Sequence, residues 1–196
     1  MKHFKNFKTC VYCTAQTLAS LDETTLARDY AYLEKYVGID KVYLETYRDG
    51  TWVAIDHMKM IQNFFKEHGV EIAGGITTVT PPLEKDDVKR QRLFQTFCYS
   101  NEAMRTYLKK IVTYTAELFD EIILDDFFFT SCTCDDCLRE RSNLSWAEFR
   151  SKKMIDVAEN LVLKPAKLAN PSVKVTIKYP NWRESYHETG YVPKIQ

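Results

Sequence analysis

Short apolar runs alternate with longer amphipathic runs along most of the chain. Runs rich in Val, Ile, Leu and aromatic residues predict five strands, at 8–16, 40–47, 70–79, 120–129 and 172–180. Between them, apolar residues recur at helical spacing and predict four helices, at 21–39, 54–69, 101–119 and 145–169. Strands that alternate with helices predict a parallel sheet whose neighbouring strands are joined by helical crossovers.

The predicted helices carry start and stop signals. Asp22 is a suitable N-cap for the first helix, because its carboxylate can accept from a free backbone N–H of the first turn. Gly69 follows the second helix and predicts its end. Pro165 lies inside the fourth helical pattern, so we expect it to kink or end that helix.

Five β/α units could form a complete doubly wound sheet or part of a (β/α)8 barrel. The segment after the first strand, CTAQTLASLDE, contains no glycine, so it lacks the phosphate-binding loop of a nucleotide-binding sheet. A complete barrel needs about 250 residues, whereas this chain has 196. We predict an α/β fold, an incomplete (β/α)8 TIM-type barrel of about five parallel β/α units, with residues 1–196 as a single domain. An open barrel edge could also pair with a second molecule.

Composition excludes several classes of partner. The 27 basic and 27 acidic residues cancel, and no basic tract stands out, which argues against nucleic acid as the main partner. No apolar run approaches the roughly 20 residues that a membrane span needs. The start, MKHFKNFKTC, lacks the apolar middle of a secretory signal. We expect the chain to be cytoplasmic, or secreted or periplasmic if a leader has been removed.

Three of the six cysteines crowd together after the fourth strand, at Cys132, Cys134 and Cys137. Zinc takes four ligands in structural sites, and Cys98, just before the third helix, is the best candidate for the fourth. Four thiolates would make a closed, structural Zn²⁺ site; reduced free thiols or a disulfide pair are the alternatives. Cys10 and Cys13 lie within the first apolar strand, so we expect core residues and no redox motif there.

Asp125 and Asp126 close the fourth strand, in EIILDDFFF. Barrel active sites are built at the carboxyl ends of the strands. Adjacent strand residues point to opposite faces, and the sequence does not decide which of the two faces the cleft. We favour Asp126 because it is nearer the mouth, with Asp125 capping or orienting behind it. The alternative is that both aspartates merely cap the following loop.

Other strand ends carry polar and aromatic side chains that suit a sugar site. Carboxylates perform acid–base work, polar groups bond hydroxyls, and rings stack on sugar faces. The predicted substrate-binding residues follow the second and fifth strands: Glu45, Tyr47, Arg48, Lys178, Tyr179 and Trp182. This set predicts a carbohydrate substrate.

A cysteine before the third helix, an acidic end to the fourth strand, a C-x-C-x-x-C run and SWAEFR follow one another in the chain. In this order the sequence resembles the glycoside hydrolase (β/α)8 superfamily, in particular the family 42 β-galactosidases and glycosidase-like proteins of gut bacteria. The resemblance implies the N-terminal portion of a glycosidase-like barrel. It also implies a four-cysteine zinc site on Cys98, Cys132, Cys134 and Cys137, and an acid/base carboxylate at Asp126 or Asp125.

Two departures from that family affect the expected function. The family has Asn-Glu at the end of strand four where this chain has Asp125–Asp126, and other sugar-cleaving barrels place an aspartate nucleophile there. The family's second catalytic carboxylate lies on strand seven, which this chain does not contain, and hydrolysis needs two carboxylates. We therefore expect a glycoside hydrolase fragment that is weakly active or inactive alone. The alternatives are a non-catalytic carbohydrate-binding or scaffold protein, and a zinc hydrolase in which one thiol is not a ligand.

Overall fold

The computed structural model describes residues 4–80 and 93–178. It contains one sheet whose strands are β1 (Cys10–Cys13), β2 (Lys41–Arg48), β3 (Thr51–Trp52), β4 (Glu71–Ile76), β5 (Glu121–Leu124) and β6 (Lys174–Ile177). The helices are α1 (Ala15–Ser20), α2 (Glu23–Tyr36), α3 (Ile55–Glu67), α4 (Glu102–Leu118), α5 (Asp135–Arg141), α6 (Trp146–Val157) and α7 (Lys164–Ala169). A π-helical turn, Ala158–Leu163, joins α6 to α7.

The helix ends follow local chemistry. The Asp22 carboxylate accepts from the backbone N–H of Thr25, as predicted for the N-cap of α2. Gly69 follows α3 with a φ of 73°, a left-handed conformation that glycine adopts without strain. Pro165 falls in the first turn of α7, where its missing N–H is no loss, and the π-helical turn that interrupts the α geometry lies directly before it. The fourth predicted helix thus continues past Pro165.

The strand order identifies the architecture. Neighbours in the sheet run β1-β2-β4-β5-β6, all parallel, and only β3 pairs antiparallel, with β2. A doubly wound sheet reverses its strand order at a switch point, whereas this order only advances. The five parallel strands and the helices that join them therefore form part of the wall of a barrel, which confirms the predicted fold class.

The two faces of the sheet are unequal. Val42, Leu44, Ile122 and Leu124 are fully or almost fully buried against the helices, in two continuous apolar clusters. On the opposite face, which we call the open face, alternate residues of the same strands are only half-buried: Tyr12, Lys41, Tyr43, Glu121 and Ile123. A doubly wound sheet covers both faces with helices. One covered face and one partly exposed face are what a barrel wall requires.

A β-bulge in β2 changes which side chains face the open side. Glu45 pairs with Gly75 and Tyr47 pairs with Ile76, so Thr46 is the extra residue. Without this bulge, strict alternation would put Tyr47 on the same face as Glu45. With it, Tyr47 turns into the core beside Trp52, and Arg48 returns to the open side.

None of the helices in the described residues is long and apolar enough to cross a membrane.

Candidate active site and cysteine cluster

The carboxyl ends of β2, β4, β5 and β6 meet in a network of acidic and basic side chains. Arg48 bridges two carboxylates: its Nε donates to Glu45 Oε2 at 2.8 Å, and its Nη2 donates to Asp125 Oδ2 at 3.1 Å. Lys178 approaches Asp125 from the other side, with Nζ 3.2 Å from Oδ1. Three strands that are distant in sequence, β2, β5 and β6, thus contribute charged groups to one cluster, and the end of β4 adds the hydroxyl of Thr77.

Glu45 lies beneath the cluster and has no exposed surface. Its carboxylate accepts from the Tyr12 hydroxyl at 2.7 Å, from the backbone N–H of Ala15 at 2.7 Å, and from the Thr77 hydroxyl. Burial and the negative charge of Glu45 raise the pKa of Tyr12, so this phenol stays a protonated donor. With Arg48 as a further partner, Glu45 is satisfied by the protein itself and does not reach the cleft as the predicted substrate contact would.

Asp125 is held as an anion. Burial opposes its ionisation, but the backbone of Asp126 and the Lys178 ammonium donate to the carboxylate, and the net effect lowers its pKa. Burial also opposes the charge of Arg48, yet its hydrogen bonds to Glu45 raise the pKa of the guanidinium. Since β5 places Ile123 on the open face, alternation places Asp125 there as well.

Asp126 is more accessible than its neighbour, with 37% of its side chain exposed against 14% for Asp125. Its Oδ2 lies 3.2 Å from the same Lys178 Nζ, so both carboxylates share one ammonium. Hydrogen bonds to Asp125 and then Asp126 raise the pKa of Lys178 despite its partial burial. The two aspartates therefore lie together around a permanent cation.

Two aromatic rings border the carboxylates. The Arg48 guanidinium carbon lies 5.7 Å from the centre of the Phe127 ring. The Phe94 ring packs edge-to-face on the Phe127 ring, with 5.5 Å between the ring centres. Phe94 is 59% exposed, which is unusual for so large an apolar side chain. Its φ of 52° and the 55° of Gln95 place two consecutive non-glycine residues in the left-handed region, a strained arrangement.

The other predicted substrate contacts have different outcomes. Tyr47 is fully buried, its hydroxyl donating to the Val79 carbonyl at 3.1 Å, so the structure places it in the core and away from the rim. The bulge at Thr46 is the physical reason. Arg48 and Lys178 do lie at the rim, where they contact acidic side chains. Tyr179 and Trp182 lie outside the described residues.

The four predicted metal ligands come together. The Sγ atoms of Cys98, Cys132, Cys134 and Cys137 all lie within 4.8 Å of one another. The measured separations from Cys98 are 3.7 Å to Cys134 and 3.6 Å to Cys137, and Cys134 lies 3.8 Å from Cys137. Disulfides have S–S distances near 2.05 Å, so none of these is one. A tetrahedral site with bonds of about 2.3 Å has S···S edges of about 3.8 Å, so the cluster fits a metal ion.

The cluster is buried, and its thiols shift one another's pKa. Hydrogen bonds from the Cys137 and Cys98 thiols lower the pKa of Cys132 to about 4. The pKa of Cys137 is raised, mainly by its hydrogen bond to Cys132. Phe149 belongs to the same buried cluster as the four cysteines, and Met104, Leu144 and Trp146 pack against it. Cys10, in contrast, is exposed at the edge of the sheet, so the prediction of a core residue is wrong there.

The cysteine cluster joins the two loops that follow β4 and β5. Cys98 comes from the first loop, Cys132 and Cys134 come from the second, and Cys137 lies in the first turn of α5, which follows that second loop. The same loops also meet through Thr78, whose hydroxyl donates to the Phe127 carbonyl at 2.7 Å and whose own carbonyl accepts from Phe97 N–H at 3.1 Å. A metal here would fix the segment that begins at Asp125.

The site also uses residues that the sequence analysis did not select. Tyr12 and the backbone of Ala15 reach Glu45 only because the parallel pairing of β1 and β2 brings Tyr12 opposite Tyr43, next to Glu45. Phe127 follows the acidic pair directly and could have been found as part of the rim.

The comparisons with known proteins agree with this architecture. A family described as "Probable glycosyl hydrolase, catalytic domain" matches residues 1–194. The chain belongs to this family. The uncharacterized protein SSO3021 of Saccharolobus solfataricus is 33% identical over 210 residues, covering 95% of this chain and 34% of the archaeal protein. The chain thus spans about a third of the length of this curated relative.

Proposed function

We propose that this chain is part of a glycoside hydrolase that cleaves a glycosidic bond at the carboxyl edge of its parallel sheet. The observation that carries the proposal is the position of Asp125 and Asp126, which end β5 around the shared ammonium of Lys178. Barrel enzymes assemble their chemistry at this edge. The family match supports the reaction class.

The electrostatics suggest a division of labour between the two aspartates. A general acid needs a raised pKa, whereas the pKa of Asp125 is lowered, so a role as proton donor does not suit it. Asp125 is suited to act as a permanent negative charge, holding Lys178 and Arg48 and facing an oxocarbenium-like transition state. Asp126, more exposed, is our candidate for direct contact with substrate, as acid/base or nucleophile.

The substrate contacts we propose are polar on one side and aromatic on the other. Arg48 and Lys178 present N–H donors to sugar hydroxyls, and the exposed ring of Phe94 beside Phe127 offers an apolar surface for a sugar face. Glu45 and Tyr47 are buried and act behind this surface. Tyr179 and Trp182 stay predictions for the same rim.

We propose Zn²⁺ as the ion for the cysteine cluster, held by all four thiolates. Sulfur ligands in tetrahedral arrangement favour zinc among the common metals. A site closed by four thiolates has no open position for water, so its role is structural, which argues against the zinc hydrolase alternative. The ion would pin the loops that carry Phe94 and Asp126.

The test is hydrolysis of a panel of aryl glycosides by the longest form of the protein that its gene encodes. The resemblance to family 42 makes aryl β-galactosides the first substrates to try. Release of the phenol above the uncatalysed rate supports the proposal. Saccharide binding by calorimetry with no turnover on any substrate would instead support the second candidate, a carbohydrate-binding or scaffold protein. This second candidate is favoured by the contacts of Asp125, because both of its carboxylate oxygens already accept hydrogen bonds from cations, one from Arg48 and one from Lys178.

The two edges of the sheet need a covering partner. Both β1 and β6 are edge strands of the described sheet, so their backbone N–H and C=O groups can pair with further strands. We propose that either additional β/α units of a longer chain or a second molecule covers them. Sedimentation of the 196-residue chain beside the longest encoded form distinguishes these alternatives. If a second molecule covers the edges, the 196-residue chain should sediment as a dimer.

A further inference from the structure

Arg48, at the end of β2, contacts Asp125, which follows β5, although these two strands are not neighbours in the sheet. β2 and β5 both pair with β4, so the guanidinium must cross over the end of β4 to donate to Asp125 at 3.1 Å. An arginine side chain has several rotatable bonds, and fixing one orientation costs conformational entropy. Something in the structure has to hold it in this orientation.

Glu45 is the group that holds it. Two hydrogen bonds join Arg48 Nε to the Glu45 carboxylate, at 3.1 Å to Oε1 and 2.8 Å to Oε2. Glu45 is itself immobile, because Tyr12, Thr77 and the first N–H of α1 all donate to it and it has no exposed surface. The fork geometry of the guanidinium then directs Nη2 towards Asp125.

Gly75 makes this arrangement possible. A Cβ atom at Gly75 would lie 2.7 Å from the Tyr12 hydroxyl oxygen, so only glycine lets that phenol reach Glu45 across the sheet. The whole chain of contacts, from Tyr12 through Glu45 and Arg48 to Asp125, therefore lies on the open face of four adjacent strands.

We infer that Glu45 is a positioning residue, which fixes the Arg48 guanidinium so that its far end contacts Asp125. The catalytic meaning of this inference rests on the proposed function, in which Asp125 is the permanent anion of the site. The physical content is independent of any substrate. Among the described residues, the charged side chains that face Asp125 are Arg48, Lys178 and Asp126, and Glu45 and Tyr12 lie behind Arg48.

The test measures the pKa of Asp125 directly, by carbon-13 NMR of side-chain carboxyl groups, with the resonance assigned by its loss in Asp125→Asn. Replacing Glu45 by Gln removes a negative charge, which alone would lower the pKa of Asp125. If Glu45 positions Arg48, its loss releases the guanidinium, and the pKa of Asp125 rises by about one pH unit. The two explanations thus predict opposite signs.

A double-mutant cycle tests whether Glu45 acts on Asp125 through Arg48. In an Arg48→Met background the guanidinium is already absent, so Glu45→Gln should no longer raise the pKa of Asp125. Glu71→Gln is the matched control, since Glu71 is an exposed carboxylate that pairs with Lys8 at the opposite end of its strand. It should leave the pKa of Asp125 unchanged.

A second variant keeps the inference testable if Glu45→Gln does not fold. Glu45→Asp keeps the negative charge but withdraws the carboxylate by one methylene, so Arg48 loses its support and we expect the pKa of Asp125 to rise. A fall in Glu45→Gln, or an unchanged value in Glu45→Asp, would overturn the inference. If these results hold while no glycoside is cleaved, the proposed function fails and the positioning role stands; if glycosides are cleaved while the pKa falls, only the positioning role fails.

Discussion

Arg48 and Asp125 form an ion pair 3.1 Å long across the end of β4, although β2 and β5 are not neighbours in the sheet. The pair is partly shielded, with side-chain exposures of 21% and 14%. It ties the second and fourth parallel strands together at the edge where a barrel enzyme acts. Both the stability of this edge and the charge of the site depend on it.

The first prediction concerns the pH dependence of stability. The pKa of Asp125 is lowered in the folded protein, so its ion pairs stabilise the fold above the ordinary aspartate pKa of about 3.9 and are lost as the pH falls through the lower folded value. We expect Asp125→Asn to reduce the free energy of unfolding by about 2 kcal/mol at pH 7. The difference from wild type should shrink below about pH 4.

Urea unfolding at pH 7, 5 and 3 measures this difference. Asp29→Asn is the control, because Asp29 is half-exposed and pairs only locally with Arg28. Exposed pairs contribute about 0–1 kcal/mol. A deficit in Asp125→Asn that stays constant down to pH 3 would contradict the role of its charge.

The second prediction uses the glycine pair of β4. A Cβ atom at Gly74 would lie 2.7 Å from Thr115 Cγ2 and 2.8 Å from Phe119 Cδ2, in the packed helix face. At Gly75 it would lie 2.7 Å from the Tyr12 hydroxyl oxygen, the far end of a side chain that can shift on the open face only by giving up its hydrogen bond to Glu45. We expect Gly74→Ala to lose about 2 kcal/mol of stability and Gly75→Ala clearly less. Thermal unfolding followed by circular dichroism compares the two, and the reverse order would show that the faces are misassigned.

The third prediction concerns metal content. Purified protein should contain one zinc per chain by plasma mass spectrometry, and Cys134→Ser should lose it because one of four ligands is removed. Cys10→Ser is the matched control, since Cys10 is an exposed cysteine outside the cluster. Chelation should also lower the melting temperature, because metal-binding free energy is then part of the folding free energy. Equal zinc in both serine variants would rule out the cluster as its site.

The fold was predictable because its determinants are local. Apolar runs and helical periodicity located the five parallel strands, and Asp22 announced the start of α2. The fourth parallel strand is shorter than its apolar run, since Glu121–Leu124 pairs with β6 and only Ile122, Ile123 and Leu124 pair with β4 as well. Such an end is fixed by neighbouring strands, which a single sequence does not display.

The cysteine cluster was predictable from spacing and from the order of elements. Cys98 precedes the helix that leads into β5, and the carboxyl ends of parallel strands meet at one edge of a sheet. That reasoning needs no side-chain detail, and the four sulfurs do come together.

The roles of Glu45 and Tyr47 were not predictable. Both were expected at the rim because they end β2, but the bulge at Thr46 turns Tyr47 into the core. No residue type in this stretch announces a bulge, since neither glycine nor proline is present. The donors that enclose Glu45 come from β1, α1 and the end of β4, and their approach is a property of the folded sheet.

The measurement that tests the central claim most directly is the turnover number of Asp126→Asn and Asp125→Asn, each in the longest encoded form, on the best aryl glycoside. Asp29→Asn serves as the matched control. The account predicts a loss of about 10²–10⁴-fold in kcat for Asp126→Asn, a substantial loss for Asp125→Asn, and none for the control. Full turnover in both strand-end variants would contradict the assignment of the carboxyl end of β5 as the site of catalysis.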